Sequence, residues 1–164
     1  MAVWQFTFHY VERLAVEKLD GPDAIVLSAF RPVDLEPFDI DAETTSYWKD
    51  RSPYSYAKVM KSMLPPRTSW SDDALMFGEE NGDSVELWDD DVRIRLDIRS
   101  YNEPLVRQLV ELAAADDLKL AMSETGRVIA PTYEKLIREI KNSRAMKFIL
   151  DPKGLFDMIA KESD

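Results

Sequence analysis

The sequence contains no cysteine, which excludes disulfides, thiolate nucleophiles, Cys-ligated zinc and iron–sulfur clusters. Its one histidine, His9, leaves two-histidine metal sites such as His-Glu-x-x-His impossible. Glycine is scarce: Gly21, Gly78, Gly82, Gly126 and Gly154 form neither Gly-x-Gly-x-x-Gly nor Gly-x-x-x-x-Gly-Lys, so no phosphate-cradling loop and no cofactor are expected. The opening residues lack a basic start followed by a long apolar run, and no stretch approaches the ~20 apolar residues that cross a bilayer. The expectation is a cytoplasmic protein without a membrane partner. Basic residues are the minority, 21 against 31 acidic ones, and the net charge of −10 repels polyanions, so nucleic acid is not an expected partner.

What is present is the material of one globular domain: 164 residues, 45% hydrophobic and 32% charged. A chain of that size buries roughly 70% of its unfolded surface and needs no staple. Trp4, Phe6, Phe8 and Tyr10 alternate with Gln5, Thr7 and His9, the period of a half-buried strand over 1–11. Residues 12–54 read as irregular, with a turn at Asp20-Gly21-Pro22-Asp23, a strand candidate from Ala24 to Phe30, and interruptions at Pro32, Pro37 and Pro53.

Between 55 and 130 the pattern is helix, β-meander, helix, strand. Tyr56, Val59, Met60, Met63 and Leu64 have helical spacing and stop before Pro65-Pro66. Ala74–Phe77 and Val85–Trp88 flank Asn81-Gly82, the signal for a type I′ hairpin, and Val92, Ile94, Leu96 and Ile98 form the next antiparallel strand. Asn102 is an N-cap for a helix with Leu105, Leu109 and Leu112 inward, and Leu118–Met122 with Arg127–Ile129 reads as a further strand or, alternatively, a hairpin. Over 131–164 two helices are expected, one capped by Thr132 with Leu136, Ile137 and Ile140 inward, one opened by Asp151-Pro152 with Leu155, Phe156 and Ile159 inward. The sum is a single α+β domain, 1–164, with an antiparallel sheet close to a ferredoxin-like β-α-β-β-β-α-β order.

Charge is unevenly spread. Through Asp91 there are 19 acidic and 8 basic residues; from Val92 onward there are 12 and 13. The acids form three runs: Asp34, Glu36, Asp39, Asp41 and Glu43; Asp72 and Asp73; and Glu79, Glu80, Asp83, Glu86 and Asp89–Asp91. The plain reading is a solvated surface, and the functional one is a docking face for a basic partner. Tyr47, Trp48, Tyr54, Tyr56, Trp70 and Trp88 lie within or beside these runs, a composition shared by core packing and interface hot spots. Trp48 and Trp70 have the most polar neighbours. The residues expected to contact a partner are Trp48, Trp70, Asp72, Asp73, Glu79, Glu80, Asp83, Asp89, Asp90 and Asp91.

Catalytic constellations are not evident. A Ser/His/Asp triad would need His9 as its base, and His9 reads instead as a surface or edge-of-core residue of the first strand. Asp89-Asp90-Asp91 reads as a solvated turn rather than a cation site. Asp97 falls between Arg95 and Arg99 on one strand face, a ladder that keeps a carboxylate ionised. The stripe of Arg93, Arg95 and Arg99 lacks the stacking aromatics of an RNA-binding sheet.

Arg95-Leu96-Asp97-Ile98-Arg99, the Asn-Gly hairpin after Ser69-Trp70-Ser71-Asp72, and Ser143-Arg144-Ala145-Met146-Lys147-Phe148 before Asp151-Pro152 resemble a set of small uncharacterised acidic bacterial proteins. No activity attaches to that resemblance. In size, acidity and lack of a catalytic constellation the chain is also similar in general character to the immunity proteins of bacterial toxin systems. That likeness implies a non-catalytic inhibitor that occludes a basic toxin. The alternatives are a small hydrolase using carboxylates gathered by the fold, with or without a metal, and a regulatory or scaffold module forming a homodimer through an open sheet edge.

Overall fold

The first strand, β1 (Gln5–Glu12), is buried along its whole length. Its alternation does divide two faces, but both are covered, because β1 lies in the middle of the sheet rather than at an edge. The expected surface position of His9 is thereby corrected: its exposure is 0%. In the computed structural model, which describes residues 2–28 and 47–162, the chain is one compact α+β domain.

Helix α1 (Arg13–Asp20) follows β1 directly, within the segment expected to be irregular. It ends at Gly21, whose φ of +91° is the conformation glycine adopts at little cost, and whose N–H donates to the Glu17 carbonyl. The strand expected from Ala24 reduces to an isolated bridge between Val26 and Arg127; Ala29 and Phe30 lie outside the described residues, as does the first acidic run. A 3-10 turn at Pro53–Tyr56 leads into α2 (Ala57–Met63), so the α-helix begins two residues later than the spacing predicts.

Then come β2 (Pro66–Arg67), β3 (Leu75–Gly78), β4 (Ser84–Leu87) and β5 (Val92–Asp97), with Ile98–Ser100 in a 3-10 turn. The meander is as expected, but its first turn is not type I′. Asn81 and Gly82 have no positive φ; the positive φ of +85° is at Gly78, and Gly82 N–H closes the turn onto the Glu79 carbonyl. A Cβ at Gly78 would meet the Asp83 backbone oxygen, so glycine is required there. Helix α3 (Glu103–Ala115) starts at the Asn102 cap, and β6 (Leu118–Met122) and β7 (Val128–Ile129) form the second hairpin. Three helices rather than two close the chain: α4 (Tyr133–Lys141) capped by Thr132, α5 (Arg144–Leu150) capped by Ser143, and α6 (Pro152–Glu162). Phe156, expected to face inward, is half exposed and packs edge-on against Phe148.

The sheet order is β2-β3-β4-β5-β1-β6-β7, antiparallel throughout. The inner four strands interleave as in a split βαβ. The ferredoxin-like expectation goes no further, since β2, β3 and β7 have no place in it.

Phe6, Phe8 and Tyr10 of β1, with Val92, Ile94 and Leu96 of β5, pack against Leu105, Leu109, Leu136 and Ile140 of the helices as the main core. A second, smaller cluster gathers Val11, Ala15, Val16, Leu27, Tyr47, Ala121 and Val128.

Trp48 belongs to the main core. It is 8% exposed, meets Tyr56 edge-on at 6.0 Å, and donates its indole N–H to the Tyr10 carbonyl at 3.0 Å. Truncating it removes a large buried side chain and orphans a buried acceptor. Trp48→Ala is expected to cost about 3–5 kcal/mol in urea unfolding, whereas Trp70→Ala, at a position 73% exposed, is expected to stay within about 1 kcal/mol.

Candidate functional site

Beyond the second cluster of Val11, Ala121 and Val128, the sheet face opposite the main core is polar. The register sets His9 beside Arg93, Thr7 beside Arg95, Gln5 beside Asp97, and Glu86 of β4 beside Arg93. Glu86 is buried, and its carboxylate receives Arg95 at 2.9 Å, Arg93 at 3.7 Å and the Trp88 indole N–H at 3.4 Å. A buried carboxylate surrounded by two guanidinium groups and an N–H has the partners its desolvation requires. Asp97 pairs with Arg99 at 2.9 Å, and that hydrogen-bonded pairing holds its carboxyl below the usual range. The expected ladder is therefore half realised, since Arg95 turns to Glu86 instead.

His9 bridges this face. Its Nδ1 lies 2.8 Å from Asp91 Oδ1 and its Nε2 lies 2.6 Å from Ser123 Oγ. An ionised carboxylate only accepts, so Nδ1 carries a proton; in the neutral ring Nε2 then accepts from the serine hydroxyl. The order of bonds is that of a Ser-His-Asp hydrolase triad. Its surroundings are not. Ser123 is 2% exposed, and its backbone N–H, an oxyanion-hole donor in such enzymes, is engaged by the Thr7 carbonyl at 3.2 Å. The neighbouring cavity of about 300 Å³ is lined by Phe6, Met122 and Glu124 and opens on the other sheet face. What the relay does is fasten the β6–β7 turn and the β4–β5 loop to β1, an interior strand of the sheet. Nothing at the level of sequence spacing signals Ser123, which is brought to His9 from 114 residues away.

Above this network the surface is acidic and aromatic. Trp88 in the β4–β5 loop packs against Trp70 at 5.5 Å between ring centroids with the planes at 58°. Trp70 sits in a loop shaped by serines: Ser69 Oγ accepts from the Ser71 N–H and Ser71 Oγ from the Asp73 N–H. The Tyr54 hydroxyl donates to the Asp73 carbonyl. Burial, then the charges of nearby Asp89, Asp73 and Asp90, raises its pKa. Asp90 is itself raised, by burial and then by Asp89 and Asp91.

The expected partner residues thus fall into separate places. Trp70, Asp73, Asp89 and Asp90 share the surface described above, joined by Trp88 and Tyr54, and Asp72 is exposed in the loop of Trp70. Asp91 is withdrawn beneath it, and Trp48 is in the core. Glu79, Glu80 and Asp83 are at the far end of β4, in a turn tied down by Trp4 and Gln5 donating to the backbone of Asn81, Glu80 and Gly82. Asp83 there accepts the Asp97 N–H at 2.8 Å. Among the described residues no group of three or more acidic or histidine side chains is placed to hold a metal ion. Comparison with protein families, curated proteins and solved structures finds no match, so the functional reading rests on this geometry.

Two outcomes follow from the buried groups. Ser123→Ala leaves His9 Nε2 without its partner and is expected to cost about 1–3 kcal/mol, while a fluorophosphonate probe is expected to leave Ser123 unlabelled; labelling would turn the relay into a nucleophilic site. Burial, then the neighbouring charge of Asp97, raises the pKa of Asp83 against the pull of the Asp97 N–H. The folded state therefore holds that proton more tightly than the unfolded chain, and its contribution to stability falls as pH rises from the ordinary carboxylate value through the raised one. Asp83→Asn keeps the acceptor and removes the charge, so it is expected to raise the melting temperature at pH 7 relative to wild type and to lose that advantage near pH 3.

Proposed function

We propose that this is a non-catalytic protein-binding protein that docks a basic partner through the surface of Trp70, Trp88, Asp72, Asp73, Asp89 and Asp90, in the manner of an immunity-type inhibitor occluding a toxin. The observation that carries the reading is Trp70: a tryptophan 73% exposed that packs on a second tryptophan, with Asp72 and Asp73 following it in its own loop and Asp89 and Asp90 following Trp88 in the other. Large aromatics that remain outside a core in such settings serve as anchors at interfaces, with surrounding charge governing encounter. The competing homodimer would use a sheet edge, and both edge strands, Pro66–Arg67 and Val128–Ile129, are two residues long, which offers little backbone for strand addition.

The test is capture from a lysate of the source cells at low and high salt, then association kinetics with the captured protein. The partner is expected to be basic. Replacing Asp72, Asp73, Asp89 and Asp90 together by Asn is expected to slow association about tenfold or more at low salt and to flatten its salt dependence, with the fold intact. Trp70→Ala is expected to cost about 2 kcal/mol of affinity, mainly through faster dissociation. Salt-insensitive capture that survives the quadruple replacement would overturn the proposal.

A further inference from the structure

The protein builds one small device twice within itself. The Arg99 guanidinium lies 3.9 Å from the ring centre of Trp4 while pairing with Asp97 at 2.9 Å. The Arg107 guanidinium lies 3.8 Å from the ring centre of Tyr133 while pairing with Glu103 at 2.9 Å. In both, an arginine at the surface is clasped between an aromatic face and a carboxylate, so that cation–π attraction and a charge-assisted hydrogen bond act on one planar group.

The docking surface has the same parts without the arginine. Trp88 is steadied through its indole N–H on Glu86, and Trp70 leans on it at 5.5 Å, leaving most of Trp70 open to solvent. Asp72 and Asp73 follow Trp70 in one loop and Asp89 and Asp90 follow Trp88 in the other. None of the four is ion-paired with a cation among the described residues, in contrast to Asp97 and Glu103.

Resting on the docking reading, we infer that this surface is a third clasp, completed by an arginine side chain of the basic partner. Arginine is chosen over lysine because a flat guanidinium stacks on an indole while its edge binds carboxylates, whereas an ammonium is a hydrated point charge that cannot do both.

The probes are an arginine-only and a lysine-only peptide of equal length, titrated calorimetrically into the full chain. The arginine peptide is expected to bind about fivefold or more tightly. That preference is expected to vanish in Trp70→Ala, with its fold checked by thermal melting, and to persist in part in Trp70→Phe. Equal affinity for the two peptides, or a preference unchanged in Trp70→Ala, would overturn the clasp. Equal binding that still disappears in the quadruple Asn variant would remove the clasp and leave the electrostatic docking surface standing. Failure of either peptide to bind would remove the clasp, and the docking surface would then rest on the association rates of the captured partner.

Discussion

The hydrogen bond from His9 to Asp91 is the contact on which the polar side of the sheet and the β4–β5 loop depend. β1 lies between β5 and β6, so whatever His9 holds is held relative to the whole sheet. Through Asp91 it holds the loop that carries Trp88, Asp89 and Asp90, and through Ser123 it holds the start of the β6–β7 turn. Glu86 adds a second fastening to the same loop by accepting the Trp88 indole N–H. Burying charges this way is not a cheap source of stability, since a hydrophobic replacement of similar shape often does as well. What it supplies is register. A slip of one residue in β1 would bring Phe6, Phe8 and Tyr10 onto Glu86, Arg93 and Arg95 and turn His9 into the apolar core, so the wrong pairing is heavily penalised.

The carboxylates accordingly divide into two kinds. Glu86, Asp91 and Asp97 sit among arginines and histidine, where the local charge is balanced. Asp73, Asp89 and Asp90 have no cation paired with them among the described residues: burial first, then like charge, raises the pKa of Asp90, through Asp89 and Asp91, and of Tyr54, through Asp89, Asp73 and Asp90. Crowded like charges oppose the folded state of the free protein and are relieved when a cation arrives.

Much of the fold was legible because local chemistry and tertiary context agreed. Asn102, Thr132 and the Asp151-Pro152 step mark helix starts through backbone satisfaction alone, and the apolar alternation of Val92, Ile94 and Leu96 matches the face they bury. The failures share a different cause, namely context that a linear pattern does not carry. The polar members of β1 look solvent-facing because alternation reports two faces and not whether the second is covered. The eight residues of α1 are too few for their periodicity to stand out among the neighbouring turn signals. Asn81-Gly82 carries a two-residue-turn signal, but Gly78 takes the left-handed position first and sets a longer loop. At the site, the acidic runs were legible as composition, yet which acids meet depends on the hairpin's length: β4 separates Glu79–Asp83 from Asp89–Asp91. Trp48 and Trp70 both have polar neighbours in sequence and have opposite fates: Trp48 packs on Tyr56 and donates to the Tyr10 carbonyl within the core, while Trp70 packs on Trp88 at the surface.

A chain of contacts therefore runs from the sheet interior to solvent: Arg93 and Arg95 on Glu86, Glu86 on the indole of Trp88, Trp88 on Trp70. Each step removes conformational freedom from the next. A binding surface assembled this way has much of its ordering cost met on folding, and side-chain immobilisation is among the larger charges against affinity at an interface. The exposed acids contribute differently, since long-range attraction accelerates encounter without requiring any one geometry. On the docking proposal, an ordered aromatic centre within a like-charged rim would separate the two tasks, the rim acting on arrival and the centre on residence. The buried histidine and carboxylates of the polar sheet face would then act from behind the surface, through the hydrogen bonds that fix the loop of Trp88, Asp89 and Asp90 to β1 and β4.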